Sequence, residues 1–381
     1  MQQRLRQKIT LLHLTAIILS LILVSMVFVL LSKIPSVAET LTTTWGRIWS
    51  DGVGKAMSLL PFGVFEWSCF LVVTALITIV IICIVLLAKR KFFKAGRLFF
   101  STIIVAMLVV TIYVSTATVA YNRAAPPLPS IDNSLVTSDK VVDCVGNFDA
   151  AFAEVSGKIA VDDEGRSICP YDFDELSSLI SAQFDRLDEG YFGKGGKRVK
   201  ASAFSTIMSH NHIVGITFMP FGEATVNANA PYTDEAFAMA HELAHTCGVM
   251  REDYANLVAV YVLLTSGDDY LRYCGYLNSY YYLNGALIYS NNFSHTLSRT
   301  IPQVAQADIV REREFWSQFT LFDEIGDFFN DLYLKLNGQS GSDSYFQTID
   351  GEEAGKDEDG NIIYTNVTYT DMQRMLVAMF S

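Results

Sequence analysis

Three long stretches free of Lys, Arg, Asp and Glu, Ile9 to Ser32, Trp67 to Ala88 and Leu98 to Ala120, constrain this chain more than any other feature. Each reaches the roughly 20 residues with which a helix crosses a bilayer. Hydrocarbon offers no water to an open backbone, so a helix is the expected state of all three. The predicted spans are about 9–32, 67–88 and 98–120. The first stretch could instead be a cleaved signal, but it is longer than a usual signal core. Its small-residue candidate site near Val37-Ala38 also follows Pro35, so the reading keeps it as a membrane helix.

Basic residues set the expected orientation. Arg4, Arg6 and Lys8 precede the first stretch, and Lys89, Arg90, Lys91, Lys94 and Arg97 crowd the connection between the second and third. Such clusters stay on the cytoplasmic side, which sends residues 33–66 and everything after Tyr121 to the other face. Residues 1–120 carry 11 Lys and Arg against 3 Asp and Glu, leaving 17 basic and 37 acidic residues beyond. An acidic exterior of that size disfavours nucleic acid as a partner. Two domains are therefore expected, a membrane domain at 1–120 and an extracytoplasmic domain at 121–381. The expected partners are the lipid bilayer and a peptide or protein substrate.

The connection from Lys33 to Glu66 suggests one short interfacial helix, with Trp45, Trp49, Phe62, Phe65 and Trp67 as an aromatic belt. Tyr121 to Pro129 reads as a stiff exit segment. Phe148 to Leu187 is mostly helical in pattern, and Gly190 to Gly196 is a loop. His212 to Met219 is apolar and β-branched, as a strand should be, and Pro220 to Asn229 could form an edge strand or a rim loop. Tyr254 to Phe329 is rich in helix formers. Gly351 to Gly360 reads as an acidic surface turn before a last helix at Asp371 to Phe380. The fold class expected is α+β, mostly helical. Four cysteines, Cys144, Cys169, Cys247 and Cys274, fall after residue 121, where Cys144 with Cys169 and free buried thiols are both open readings. No CxxC pair exists for a cysteine-built zinc site.

The chemistry is concentrated in His241-Glu242-Leu243-Ala244-His245. Pro231 to Glu235 is a helix start, with Thr233 as the expected cap and two acids in the first turn. Histidines four apart project from one helical face and can reach one Zn²⁺. Glu242 stands beside them to take a proton from water. A catalytic zinc needs a third protein ligand. Glu252 follows His245 by seven residues, about 10 Å along an unbroken helix and too far to share a metal. Gly248 tolerates the left-handed conformation that ends helices, so the chain can turn there and return Glu252 in a new helix.

Glu252 to Asn256, in the pattern ExxAN, resembles the third-ligand motif of gluzincin-type zinc peptidases, which assigns Glu252 as the ligand and Asn256 as the residue holding a ligand histidine. The metzincin pattern HExxHxxGxxH fits Gly248 but puts Arg251, which cannot ligate, at its third histidine. Asp253 is the lesser ligand candidate. Leu60-Pro61-Phe62, Tyr121-Asn122-Arg123 with Pro126-Pro127-Leu128, Gly215 to Asn229, the HELAH helix, Arg251-Glu252-Asp253 and Asn330 to Lys335 together resemble one family. It is a bacterial domain-of-unknown-function family of three-pass membrane proteins with a zinc-peptidase helix. Its members commonly read REDEAN where this chain has Tyr254 at the fourth position.

The resemblance implies an extracytoplasmic, zincin-like metallohydrolase domain anchored in the bacterial cytoplasmic membrane, a zinc metallopeptidase with Zn²⁺ as cofactor. Glu242 would be the catalytic base, and His241, His245 and Glu252 the metal ligands. His210, His212, His295, Tyr345 and Arg311 are candidates for oxyanion donors, and the strand near Phe218 to Asn227 for pairing with substrate backbone. A non-catalytic sensor or assembly protein with a structural zinc site is the alternative, though such a site has no need of Glu242. An intramembrane protease is disfavoured because Asp234, Glu235, Arg251, Glu252 and Asp253 bracket the motif.

Overall fold

The computed structural model describes residues 2–193, 197–319, 323–345 and 347–381. Helix α1 (Gln2–Ser32) leads through α2 (Pro35–Leu41), a π-helical turn (Thr42–Gly46) and α3 (Arg47–Ser58) to α4 (Val64–Ala88). Helix α5 (Phe92–Thr116) then runs on through a 3₁₀ turn to Asn122. α1, α4 and the Phe92–Asn122 span are long and apolar enough to cross a membrane. Each contains one of the stretches read from the sequence. α1 packs along α5, where Ser25 and Thr111 hydroxyls meet at 2.9 Å, a polar contact of the kind that joins helices where apolar surface gives no preference.

The connection between α1 and α4 is helical over most of its length, more than the single short helix expected. Its side chains turn toward the C-terminal part of the chain. Trp49 donates its indole N–H to the Pro220 carbonyl at 3.1 Å, and the Phe65 ring stacks on Phe218 at 4.4 Å. Trp45 donates to Ser115 Oγ at 3.2 Å. These members of the expected aromatic belt therefore hold protein against protein, although Trp45, like Phe62 and Trp67, also keeps a large exposed face.

Beyond the exit segment come α6 (Ser138–Ser156) and α7 (Phe173–Phe184), then β1 (Lys200–Ala201), α8 (Ser205–His210), β2 (Gly215–Phe218) and β3 (Glu223–Val226). The helical pattern expected from Phe148 to Leu187 is broken between α6 and α7, where Asp162 accepts the backbone N–H groups of Glu164 and Arg166 and closes a turn. Of the glycine loop at 190–196, the last three residues lie outside the described ones. α9 (Tyr232–Thr246), α10 (Glu252–Leu264), α11 (Asp269–Ser279), α12 (Tyr282–Tyr289), α13 (Phe293–Ser298), α14 (Gln303–Trp316) and α15 (Asp323–Leu336) follow. A hairpin of β4 (Asp350–Lys356) and β5 (Ile362–Thr368) precedes α16 (Asp371–Phe380).

Two expectations change here. The segment after Pro220 is neither edge strand nor rim loop: β3 is the central strand, parallel to β1 and antiparallel to β2, and all four of its residues are buried. It tolerates a buried Glu223 because that carboxylate pairs with Lys200 and accepts the first backbone N–H groups of α4, from Val64 at 3.0 Å and Phe65 at 2.8 Å. The acidic stretch at Gly351 to Gly360 is a strand and a turn, paired with the β-branched Ile362–Thr368. Asp-Gly-Glu-Glu-Ala-Gly-Lys has little strand propensity of its own, so its partner imposes the conformation.

The main core lies between α6, α9, α10, α11 and α16. Phe148, Phe152, Tyr273 and Tyr276 form its aromatic centre, with Met239, Leu243, Val258 and Leu263 packed behind the site helix. All six cysteines are free thiols. Cys144, Cys247 and Cys274 are buried and Cys169 half-buried, which selects the free-thiol alternative.

Candidate metal centre

α9 begins with Pro231 at its cap and Asp234 and Glu235 in the first turn. Thr233, expected as the cap, is already inside the helix. Pro231 carries no N–H to lose at a helix start. At the other end Cys247 closes the last turn and Gly248 takes φ +93°, the left-handed conformation that reverses the chain. α10 then starts at Glu252, preceded by the extended Arg251.

The reversal is clamped from several sides. Arg123 donates to the Gly248 carbonyl at 2.8 Å and to the Tyr191 carbonyl at 2.8 Å, while pairing with Glu39 at 2.6 Å. Its guanidinium lies 3.7 Å from the Tyr191 ring centre. Lys197 Nζ and Ser50 Oγ each donate to the Thr246 carbonyl at 2.7 Å, and Asp51 balances the ammonium at 3.2 Å. Cationic donors at the carbonyl end of α9 suit both its open acceptors and its dipole. Residues 39, 50 and 51 precede α4, so these contacts cross the division expected at residue 120.

With the turn in place, His241, His245 and Glu252 converge. One donor atom from each lies within 4.8 Å of the others, and all three residues are buried. Glu252 Oε2 is 3.1 Å from His241 Nε2 and 3.4 Å from His245 Nε2. Each imidazole is oriented through its other nitrogen. His241 Nδ1 donates to Asn256 Oδ1 at 2.8 Å, and Asn256 Nδ2 in turn donates to the Tyr345 carbonyl at 2.8 Å. His245 Nδ1 donates to the Val249 carbonyl at 2.7 Å. Both Nε2 atoms therefore face the cluster with the tautomer that a metal ligand requires.

Electrostatics point the same way. Burial pushes the Glu252 carboxyl up, yet His245 and His241 hold it down to about 2. Burial works against a charged His245, but the Glu252 carboxylate outweighs it and raises the imidazole to about 9. The cluster thus favours a positive charge between its donors, supplied by a proton or a metal ion. Burial raises the Glu242 carboxyl, only partly opposed by His245 and His241. Its Oε2 is buried and has no hydrogen-bond partner among the described residues.

Strand β2 passes directly over that carboxylate. A Cβ on Gly215 would lie 2.5 Å from Glu242 Oε1, so only glycine fits there, and Thr217 Oγ1 donates to the Glu242 carbonyl at 3.0 Å. Tyr333 and Tyr345 border the cluster from α15 and the turn after it. Burial raises both hydroxyls and the Glu252 and Glu242 charges add to it, while at Tyr333 hydrogen bonds with Tyr113 and Tyr121 oppose the rise.

The other sequence candidates separate. Asp253 turns away, bound by Arg251 at 2.5 Å and by Gln347 Nε2 at 2.8 Å. Tyr254 places its ring 4.1 Å from the Arg251 guanidinium, giving this chain's departure from REDEAN a packing role. Arg311 pairs with Asp308 at 2.9 Å, His212 meets the Phe319 carbonyl, His210 packs on the Phe319 ring, and His295 lies on α13. Of the expected oxyanion donors, Tyr345 is the one that joins the cluster's hydrogen-bond network among the described residues, through its backbone carbonyl. Arg123, Lys197, Thr217 and Gly215 have no site role legible in the sequence, whereas the hydrogen-bonding groups of Asn330 to Gln339, which include Tyr333, read equally as a cleft lining or as a helix cap with a packed loop. Arg123 stood inside the family-like string, but nothing local connects it to Gly248.

A family profile described as "Protein of unknown function (DUF3810)" matches residues 42–350. No curated protein and no solved structure matches the chain.

Proposed function

The chain belongs to the DUF3810 family, and we propose that it is a membrane-anchored zinc peptidase that hydrolyses peptide bonds outside the cytoplasmic membrane. The observation that carries this reading is the joint placement of three donor atoms within 4.8 Å and, on the helix that supplies two of them, a buried Glu242 carboxylate oxygen without a hydrogen-bond partner among the described residues. A closed structural site would call for four protein ligands and no adjacent base.

The donor set fits Zn²⁺: two oriented imidazoles and one carboxylate leave a coordination position open. Bound to His241, His245 and Glu252, the ion would supply Lewis acidity toward the scissile carbonyl. The remaining steps belong to the chain. Glu242, raised by burial, accepts a proton from the attacking water and delivers it to the departing amine. A hydroxyl from Tyr345 or Tyr333 donates to the oxygen on which charge develops. β2 lies at the end of its sheet beside Glu242 and can take an extended substrate as a further strand. The basic residues at 4–8 and 89–97 support a cytoplasmic N-terminus, with the cluster on the opposite face.

Full-length protein in detergent is expected to retain about one Zn²⁺, and Glu242→Gln to keep the metal while losing about 10²–10⁴-fold in peptide hydrolysis. Equal hydrolysis by the variant would remove Glu242 from the chemistry and favour the sensor alternative.

A further inference from the structure

α15 lies across the top of the membrane helices rather than against the main core. Near its start, a Cβ on Gly326 would come 3.1 Å from the Asn211 carbonyl, just after α8. The α8 region is tied to the head of α4, where Phe204 packs on Trp67 at 5.8 Å and Glu66 accepts the backbone N–H of Ala203 at 3.0 Å. At its far end α15 reaches the α1 and α5 pair. The Tyr333 hydroxyl lies 3.1 Å from the Tyr113 hydroxyl, and Asn337 Oδ1 accepts from Thr118 at 3.1 Å. One helix of 14 residues, about 21 Å at 1.5 Å per residue, thus bridges the membrane spans from side to side.

Its depth follows from α5. Tyr113 stands 16 residues after Arg97 and 19 after Lys94, the last basic residues before the apolar span. That is about 24–29 Å along a helix, against a hydrocarbon thickness of about 30 Å. Tilt reduces the distance along the membrane normal. Tyr113 therefore lies a few ångströms inside the far boundary of the hydrocarbon, and Tyr333, in contact with it, lies at the same level, within the roughly 5–10 Å to which the apolar face of an interfacial helix sinks. Phe328, Leu332 and Leu336 recur every four residues along one stripe of α15 and are 62%, 41% and 76% exposed. On the opposite side Leu334 is fully buried, and the Tyr345 hydroxyl reaches Asn330 Oδ1 at 3.4 Å.

We propose that α15 is an in-plane membrane helix whose Phe328–Leu332–Leu336 stripe rests in the bilayer interface, forming the membrane-side wall of the His241–His245–Glu252 cluster. The occupant of the stripe is lipid, because the stripe continues at the same depth the surface of the helices already suited to span the bilayer. An apolar stripe opposite a polar face is the pattern of helices that lie in the interface. Resting on the peptidase reading, the substrate class follows as well. A polypeptide held in the same bilayer meets the cluster at the level of Tyr333, where tethering raises its effective concentration.

Full-length protein reconstituted in phosphatidylcholine vesicles containing a diazirine-bearing lipid tests the helix placement. Photolysis is expected to label peptides covering 326–338 as it labels α4, and to leave α13 unlabelled although its Leu297 is 73% exposed. Labelling of α15 no greater than that of α13 would overturn the proposal. Leu332→Asp with Leu336→Asp should abolish the adducts while Zn²⁺ content is kept; persistent labelling in that variant would show that another face touches lipid. A second arm compares fluorescein-labelled casein, free or carrying a palmitoyl anchor, in the same vesicles. Several-fold faster cleavage of the anchored form is expected, and equal rates would reject the substrate class. Labelled α15 with neither casein cleaved would reject the peptidase reading and leave the interfacial helix standing.

Discussion

α4 and α9 are both regular helices of one chain, and they solve opposite problems. None of the 25 residues of α4 is buried, whereas twelve of the fifteen in α9 are. Yet α4 carries its single charge, Glu66, in its first turn, and α9 holds Asp234, Glu235, Glu242 and two histidines along its length. The difference is in what each helix is surrounded by. Protein can supply Asn256, Val249 and Glu252 to the imidazoles of α9 and so bury charge at bearable cost. Lipid supplies nothing, so α4 excludes charge from its whole middle.

Substitutions at four positions and one change of conditions test that contrast. The largest effect is expected from Glu252→Ala, which removes the anionic donor facing both histidines and should lower Zn²⁺ affinity by more than the 10–100-fold typical of losing an outer partner. Asp253→Ala, one residue along and bound to Arg251, should leave it nearly unchanged; calorimetric titration of both variants decides the ligand. Leu76→Asp places in α4 the kind of group α9 accommodates. It is expected to cost about 3 kcal/mol of insertion, read as the fraction of chains recovered in carbonate-washed membranes. If α4 inserts equally well, lipid is not what surrounds it.

Asn256→Ala keeps every donor atom of the cluster but frees the His241 ring. Zn²⁺ affinity should fall about 10–100-fold, with a smaller loss for Asn256→Asp, which still accepts from Nδ1. The mildest test is pH. His245 is raised to about 9 in the metal-free cluster. Its proton must leave before a metal can bind, so affinity should rise about tenfold per pH unit from neutrality toward 9 and flatten above it. The stability it gives the metal-free fold has the opposite sense, being complete below the ordinary histidine pKa and lost as pH climbs through about 9. A melting temperature that falls over this window without zinc, but holds with it, is the expected pair of curves.

What could be read in the sequence divides along the range of the interactions. The three apolar spans and the HELAH spacing are local patterns, and Gly248 announces its reversal through a conformation that glycine adopts freely. Glu252 follows from those two facts and chain geometry. By contrast, β3 becomes central only because Lys200 and the head of α4 compensate Glu223, and β4 becomes a strand only because β5 lies beside it. No local pattern joins Ser50, Arg123 and Lys197 to a turn more than a hundred residues from the first two. Tyr333 reaches the cluster by the path of α15 across the membrane helices, which periodicity along its own sequence does not encode.

Arg123 gives the order of assembly a functional meaning. Its guanidinium is satisfied by α2, by the Tyr191 segment and by the Gly248 turn of the candidate site at once, and it directly follows the apolar span Phe92–Asn122. Without α2 and the segment behind α5 in place, the turn at Gly248 lacks this brace. For the hydrolase proposed above, seating of the apolar helices thereby becomes a condition for a closed site, and a chain that has not reached its bilayer is expected to be latent.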